Sequence, residues 1–293
     1  MISCSAFLKK HSRLFTDDTG VFNSNKCVYT AIRQSQHLLD KIKHWFDNNK
    51  LTVNVSKCAW MIFHGKNKVI PPDIPDLFLN GLSIERVHDF KYIGLNLDNT
   101  LCWTKHINEV CSRLNRFFSI FRYLRDKIPF HLKRQIFLTT VSPIINYGIE
   151  LYGSSTKNNI SKLQSKQNQL LKVLFNKDWF YNTNLLHKEG RLLKVNDLHS
   201  LRILTFVRKC LNKETIPLFH EYFTLLHENH DHDTRNDLLT KTIRYRTAVG
   251  DKRIKSSGSI LWNQSKTARK YLNHIIDTYK HKLKDYFIDS YST

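Results

Sequence analysis

The sequence predicts an α+β chain in which short strands occupy about the first hundred residues and helices most of the remainder. Three observations point there. Gly (9) and Pro (6) are scarce in 293 residues, which argues against long linkers and for a helix-rich fold. Alternating or compact apolar runs bounded by turn residues stop near residue 100. From Trp103 onward, apolar residues step by three and four.

Residues 12–24 read as a hairpin, with Leu14-Phe15 and Val21-Phe22 flanking a polar turn. Residues 27–47 carry helical periodicity through Ala31, Ile32, Leu38, Leu39, Ile42 and Trp45. The run 58–63 suits a buried strand, and 71–76 a loop. Within 77–87, Asn80-Gly81 sits between apolar residues, a tight-hairpin signal because both residues tolerate positive φ. Residues 90–98 alternate like one strand. Ile107, Val110, Leu114, Phe117, Phe121, Leu124 and Ile128 form one stripe, which predicts a single long helix over 104–128. Arg113, Arg116, Arg122 and Arg125 flank that stripe. Further helices fit 130–141, 157–175, 196–213 and 264–288.

Lys+Arg number 46 against 25 Asp+Glu, a net charge of +21. Such an excess favours a polyanionic partner, nucleic acid first among them. Six scattered cysteines form no CxxC pair, so zinc and redox motifs lack support, and the thiols read as those of a reduced, intracellular protein. No apolar run has the length of a membrane span. His227, His230 and His232, with Asp231 and Asp233, have no standard zinc spacing. Lys241, Arg244, Arg246, Lys252, Arg253 and Lys255 interleave with Tyr245, which suits single-stranded nucleic acid or, equally, a solvated charged loop.

Asp17-Asp18 is the only adjacent aspartate pair. Two carboxylates on a tight turn can hold divalent cations, although adjacent aspartates also occur in many solvated turns. Their surroundings add a resemblance. Phe15-Thr16-Asp17-Asp18-Thr19 resembles the F/Y-A-D-D-T signature of the reverse transcriptases of non-LTR retrotransposons, with Thr16 in place of the usual Ala. Trp45-Phe46, Asn49-Lys50-Leu51, Asn54, Lys57-Cys58 and Met61-Ile62-Phe63 resemble that family's W-F-x-x-N-K-L-x-L-N-x-x-K-T-x-x-M-x-F segment. Phe90-Lys91-Tyr92-Ile93-Gly94, Asp98, Leu101, Trp103 and His106-Ile107 resemble F-K-Y-L-G-x-x-x-D-x-x-L-x-W-x-x-H-I. Pro143 with Tyr147-Gly148, then His230, Thr234-Arg235-Asn236 and Leu261-Trp262-Asn263, continue the order. The ordered set spans about residues 12–285 and is far more specific than any single piece.

The resemblance implies a partial polymerase palm (1–100), a helical thumb (101–180) and a basic, mostly helical C-terminal region (181–293). It implies RNA-templated DNA synthesis by two-metal nucleotidyl transfer, with Mg²⁺ on Asp17 and Asp18 and with RNA template, DNA primer and dNTP as partners. Lys57 would act as general acid toward pyrophosphate, or is simply a solvent-facing lysine before a strand. Phe90, Lys91, Tyr92 and Gly94 would grip the primer end, and the four arginines would hold phosphates. The family's other essential Asp lies well upstream of the aspartate pair, whereas none of the sixteen residues before Asp17 is Asp or Glu. The expectation is therefore a chain that is inactive alone. The alternative is a nucleic-acid-binding remnant of a mobile element with no chemistry of its own.

Overall fold

The computed structural model describes residues 12–15, 18–226, 238–243, 245 and 248–291, with the side chains of 12–15, 18, 248 and 249 left aside. The architecture is mixed helix and sheet, in two compact units, residues 1–100 and 101–293.

In the first unit, β1 (Ser12–Phe15) pairs antiparallel with β2 (Asp18–Val21), setting Phe15 opposite Asp18. Helix α1 (Val28–Asn48) follows, burying Ile32, Leu38 and Ile42 along one face. It ends where Lys50 takes φ +55° and the Leu51 N–H turns back to the Phe46 carbonyl at 2.9 Å, satisfying a carbonyl the helix leaves open. A short 3₁₀ turn, Val55–Lys57, leads into β3 (Ala59–Trp60). Only those two residues of the expected 58–63 strand pair, because their single partner, β6 (Glu85–Arg86), is itself two residues long.

Between these lie β4 (Phe78–Leu79) and β5 (Leu82–Ser83), joined by Asn80 and Gly81 at φ +55° and +78°. This is the expected tight hairpin, and the positive angles at both central residues match the twist of the strands. The Gln36 amide of α1 clasps β4: its Oε1 accepts from Phe78 N–H and its Nε2 donates to Phe78 O, both at 2.9 Å. Ile32, Leu77, Leu79 and Ile84 form the core beneath.

The 90–98 segment is not one strand. It is a hairpin of β7 (Asp89–Tyr92) and β8 (Leu95–Asp98), folded at Ile93 (φ +45°) and Gly94 (φ +74°). The four strand pairs form four separate two-stranded sheets among the described residues.

The second unit is helical. The expected 104–128 helix is two, α2 (Thr104–Asn115) and α3 (Phe117–Leu124), broken by a turn at Arg116. Asn115, whose side chain competes for nearby backbone groups, precedes the break. The apolar stripe nevertheless runs on: Ile107, Val110, Leu114, Phe117 and Phe121 are all buried. Helix α4 (Phe130–Asn146) runs through Pro143, five residues beyond its expected end, and stops before Gly148 at φ +69°. Then come α5 (Ile149–Tyr152), α6 (Lys157–Leu174), α7 (Thr183–Glu189) and α8 (Val195–Leu211).

After α9 (Ala248–Asp251) and α10 (Ile254–Gln264), the expected 264–288 helix divides into α11 (Lys266–Lys270) and α12 (Ile276–Asp289). Ser265 enforces the first break, its extended backbone and Oγ capping Ala268 N–H at 3.1 Å. Helix α8 is the hub, packing against α4, α5, α6, α10 and α12. Ile203, Leu204, Val207 and Cys210 on it meet Phe223, Trp262, Tyr279 and Leu283. Among the described residues, no helix is long and apolar enough to cross a membrane, and no disulfide joins the five described cysteines.

Candidate nucleic-acid interface

Asp17 lies outside the described residues. Asp18 opens β2 opposite Phe15, its side chain left aside. The next residues of β2 lead to a close approach. A Cβ placed on Gly20 would stand 3.1 Å from Tyr92 Oη and 3.0 Å from the Phe22 ring. Phe22 and Tyr92 meet edge to face, centroids 6.4 Å apart at 76°. The strand that starts at Asp18 thus runs against the hairpin bearing Phe90, Lys91, Tyr92 and Gly94. On that hairpin Phe90 and Lys91 are exposed and Tyr92 is half-buried. Tyr92 is covered by Phe22 and Gly20 of the neighbouring strand segment.

Lys57 closes the 3₁₀ turn and is exposed. Asn54 fixes that turn, its Oδ1 accepting from Ser56 N–H at 3.1 Å and Ser56 Oγ at 2.6 Å. Carboxylate oxygens are the ligands magnesium favours, so the aspartate pair fits that ion by chemistry. Among the described residues no three His, Cys, Asp or Glu side chains converge as a metal-holding group. Asp98, at the end of β8, has Oδ1 taken up by Thr100, from N–H at 3.1 Å and Oγ1 at 2.7 Å.

In the second unit, Arg113, Arg116 and Arg122 are exposed on α2, its end and α3. Arg116 lies over the Phe117 ring at 5.0 Å. Arg125 differs, because its Nε donates to Asp126 Oδ2 at 3.0 Å. Elsewhere in this unit cations also crowd: burial first, then Arg134 and Arg191, pushes Lys284 down from the ordinary lysine range.

Several motif residues act as packing rather than chemistry. Trp103, His106 and Ile107 are buried, and the His106 ring rests 4.9 Å from Tyr152. Trp262 is fully buried and donates from Nε1 to Leu238 O at 2.7 Å. Asn263 treats Thr240 as Gln36 treats Phe78: Oδ1 accepts from Thr240 N–H and Nδ2 donates to Thr240 O, both at 2.9 Å. The His227, His230 and His232 group lies outside the described residues, as do Arg244 and Arg246. Lys241, Lys252 and Arg253 are exposed, with Arg253 over the Tyr245 ring at 5.2 Å and Lys255 over Tyr222 at 5.2 Å.

One exposed feature escaped the sequence reading. Trp179 and Phe180 are 67% and 95% exposed, between α6 and α7. Two adjacent aromatics between the polar Asn176-Lys177-Asp178 and the helix-capping Asn182 were the available signal.

No family model matches the chain, and no solved structure matches it. Among curated proteins, it is 25% identical over 186 residues to the RNA-directed DNA polymerase from mobile element jockey of Drosophila melanogaster, 62% of this chain and 20% of that protein. The jockey polymerase of Drosophila funebris is 24% identical over the same shares. The probable RNA-directed DNA polymerase from transposon X-element of Drosophila melanogaster is 24% identical over 66% of this chain and 21% of that protein. The chain spans about a fifth of the length of the curated relatives it matches. Over roughly two thirds of its residues, it is similar to the RNA-directed DNA polymerases of non-LTR retrotransposons.

Proposed function

We propose that these residues are the C-terminal part of a non-LTR retrotransposon reverse transcriptase: the end of the palm (1–100), the thumb (101–180) and a basic helical region (181–293). The similarity to named RNA-directed DNA polymerases carries the reading. The ordered motifs and the net charge of +21 support it.

In this reading Asp17 and Asp18 hold magnesium, which when bound stabilises charge on the attacking and leaving oxygens of a phosphoryl transfer. Lys57 presents a cation, and a proton, to the departing pyrophosphate. Its exposure at the end of a capped turn leaves the ammonium able to reach a ligand. Phe90, Lys91, Tyr92 and Gly94 position the primer end. Gly94 at φ +74° lets that hairpin fold back tightly beside Ile93. Arg113, Arg116, Arg122 and Arg125 contact phosphates, which orients a duplex without reading its sequence.

By themselves, these 293 residues bind primed template and do not extend it, because none of the sixteen residues before Asp17 is an Asp or Glu that could complete the aspartate pair. The test is primer extension on primed RNA with Mg²⁺, beside a binding assay on the same substrate. Binding without incorporation is expected. Mg²⁺-dependent incorporation that Asp17→Ala abolishes would overturn the inactivity, and absence of binding at low salt would overturn the polymerase reading itself.

A further inference from the structure

The aromatics between α6 and α7 stand at the tip of a built turn. Tyr181 N–H donates to Asp178 O at 3.1 Å, so Trp179 and Phe180 are the two central residues of a four-residue β-turn. The turn is anchored from both sides. Lys172, in the last turn of α6, donates from Nζ to the Trp179 carbonyl. Tyr181 Oη donates to Glu189 Oε1 at 2.6 Å, and Lys177 Nζ sits 3.6 Å from Glu189 Oε2 and 4.2 Å from the Tyr181 ring. The backbone and Tyr181 are thus tied down while the two neighbouring rings face solvent. Large aromatic surface left in water at a rigid position marks a binding site more often than a scattered exposed residue does.

The chemistry beside the turn selects the occupant. Trp179 lines an open groove between α3 and α6. Phe118 and Val173 line it, and Arg122, Arg125, Lys172 and Lys177 supply its charge. Two of the acids nearby are engaged, Asp126 by Arg125 at 3.0 Å and by Asn176 Nδ2 at 3.1 Å, and Glu189 as described, while the exposed Asp178 opens the turn itself. A cationic groove beside exposed aromatic faces matches a polymer with phosphates along one edge and flat rings along the other. Every nucleobase offers a π-face, so such a site tolerates any sequence but requires bases free of a duplex. A protein partner would meet four cations around a small apolar floor, a poor match for an ordinary apolar interface core.

We propose that Trp179 and Phe180 form a base-stacking platform for an unpaired stretch of nucleic acid whose phosphates lie along Arg122, Arg125 and Lys172. The site deepens the polymerase reading and rests on it: it gives the chain a grip on single-stranded template or primer that shares Arg122 and Arg125 with the duplex contacts and adds Trp179, Phe180 and Lys172 to them.

The test uses the full chain and three probes of equal length: an oligouridylate, the same backbone without bases, and a duplex. Titration follows tryptophan emission and fluorescence anisotropy. The oligouridylate is expected to quench emission, and Trp179→Ala with Phe180→Ala to weaken its binding by about ten- to a hundredfold. The abasic strand is expected to bind the unaltered chain as weakly as the oligouridylate binds the double variant. Duplex affinity should stay the same, since the substituted side chains are exposed and lie outside the packed core. Equal oligouridylate affinity of the variant and the parent, or equal binding of the abasic strand, overturns the platform while leaving the duplex-binding reading intact. Failure of the parent chain to bind any of the three probes overturns the polymerase reading as well. Circular dichroism of the double variant confirms the fold.

Discussion

Tyr92 Oη stands 3.1 Å from the point that a Cβ on Gly20 would occupy, and the Phe22 ring closes on the same point at 3.0 Å. A side chain at residue 20 would force Tyr92 or Phe22 to give by a few tenths of an ångström. In the proposed reading, this close approach keeps the aspartate pair and the primer-gripping hairpin in register.

Gly20→Val should therefore lift β2 off the hairpin, at a cost of about 1–3 kcal/mol from overpacking. Tyr92→Phe in the same chain should recover part of that cost, because it removes the obstructing hydroxyl. Hydrogen exchange of the β2 and β7 amides reads the effect locally. Additive single-variant effects would show that the two positions do not meet.

The arginines flanking the buried stripe should differ in their effect on binding. Replacing Arg113, Arg116 and Arg122 by Gln should flatten the log–log salt dependence of duplex affinity by about 0.9 for each phosphate no longer neutralised. Gln is a comparable helix former, and buried Leu114, Phe117 and Phe121 keep the packing. Arg125→Gln alone should change the slope less, because Asp126 already occupies that guanidinium. An unchanged slope in a folded triple variant would move the interface elsewhere, with exposed Lys241, Lys252 and Arg253 next to be tested.

Stability should fall on mild acidification. His187 is fully buried, with Nδ1 3.0 Å from Leu192 O and Nε2 2.9 Å from Asn168 Oδ1. Burial first, and the charge of Lys194 with it, hold its pKa at about 4, against the pull of the Leu192 carbonyl. Burial likewise brings His199 to about 4. Unfolded histidine titrates near 6.5. Between these values the unfolded chain binds more protons, so stability rises with pH and drains away from about pH 6.5 down to 4. Each histidine contributes a slope of at most about 1.4 kcal/mol per pH unit. Urea unfolding across this range checks it. His187→Gln should lower stability at pH 7 and shrink the dependence, and an undiminished slope would mean that the ring charges in place.

What the sequence made legible follows from which interactions are local. Asn80-Gly81 announced its hairpin because both residues accept the positive φ that the turn demands. Ile93-Gly94 folds in the same way, yet isoleucine is a rare occupant of that conformation, so the apolar alternation ran straight through the turn. The break at Arg116 leaves the buried stripe continuous and was invisible to periodicity for that reason. The 264–288 division was signalled by a cap, Ser265, rather than by any change in apolar spacing. At the site, motif order pointed to the 90–94 segment, and the apolar stripe to the arginines that flank it. It did not reveal that Trp262 and Asn263 brace Leu238 and Thr240, or that Trp179 lines a cationic groove. Those relations arise from residues brought together by folding.

The central place of α8 also sets a schedule for the newborn chain. Its neighbours α4, α5 and α6 have already emerged when it is made, but Trp262, Tyr279 and Leu283, which cover Ile203, Leu204 and Val207, come some fifty to eighty residues later. At ordinary elongation rates that delay is on the order of several seconds. Throughout it an apolar ridge waits in water with its lid unwritten. A ribosome that stalls in the 240s would release a chain with that ridge bare, a species expected to draw chaperones or to aggregate. The final forty-odd residues thus determine whether the helical unit survives its own synthesis.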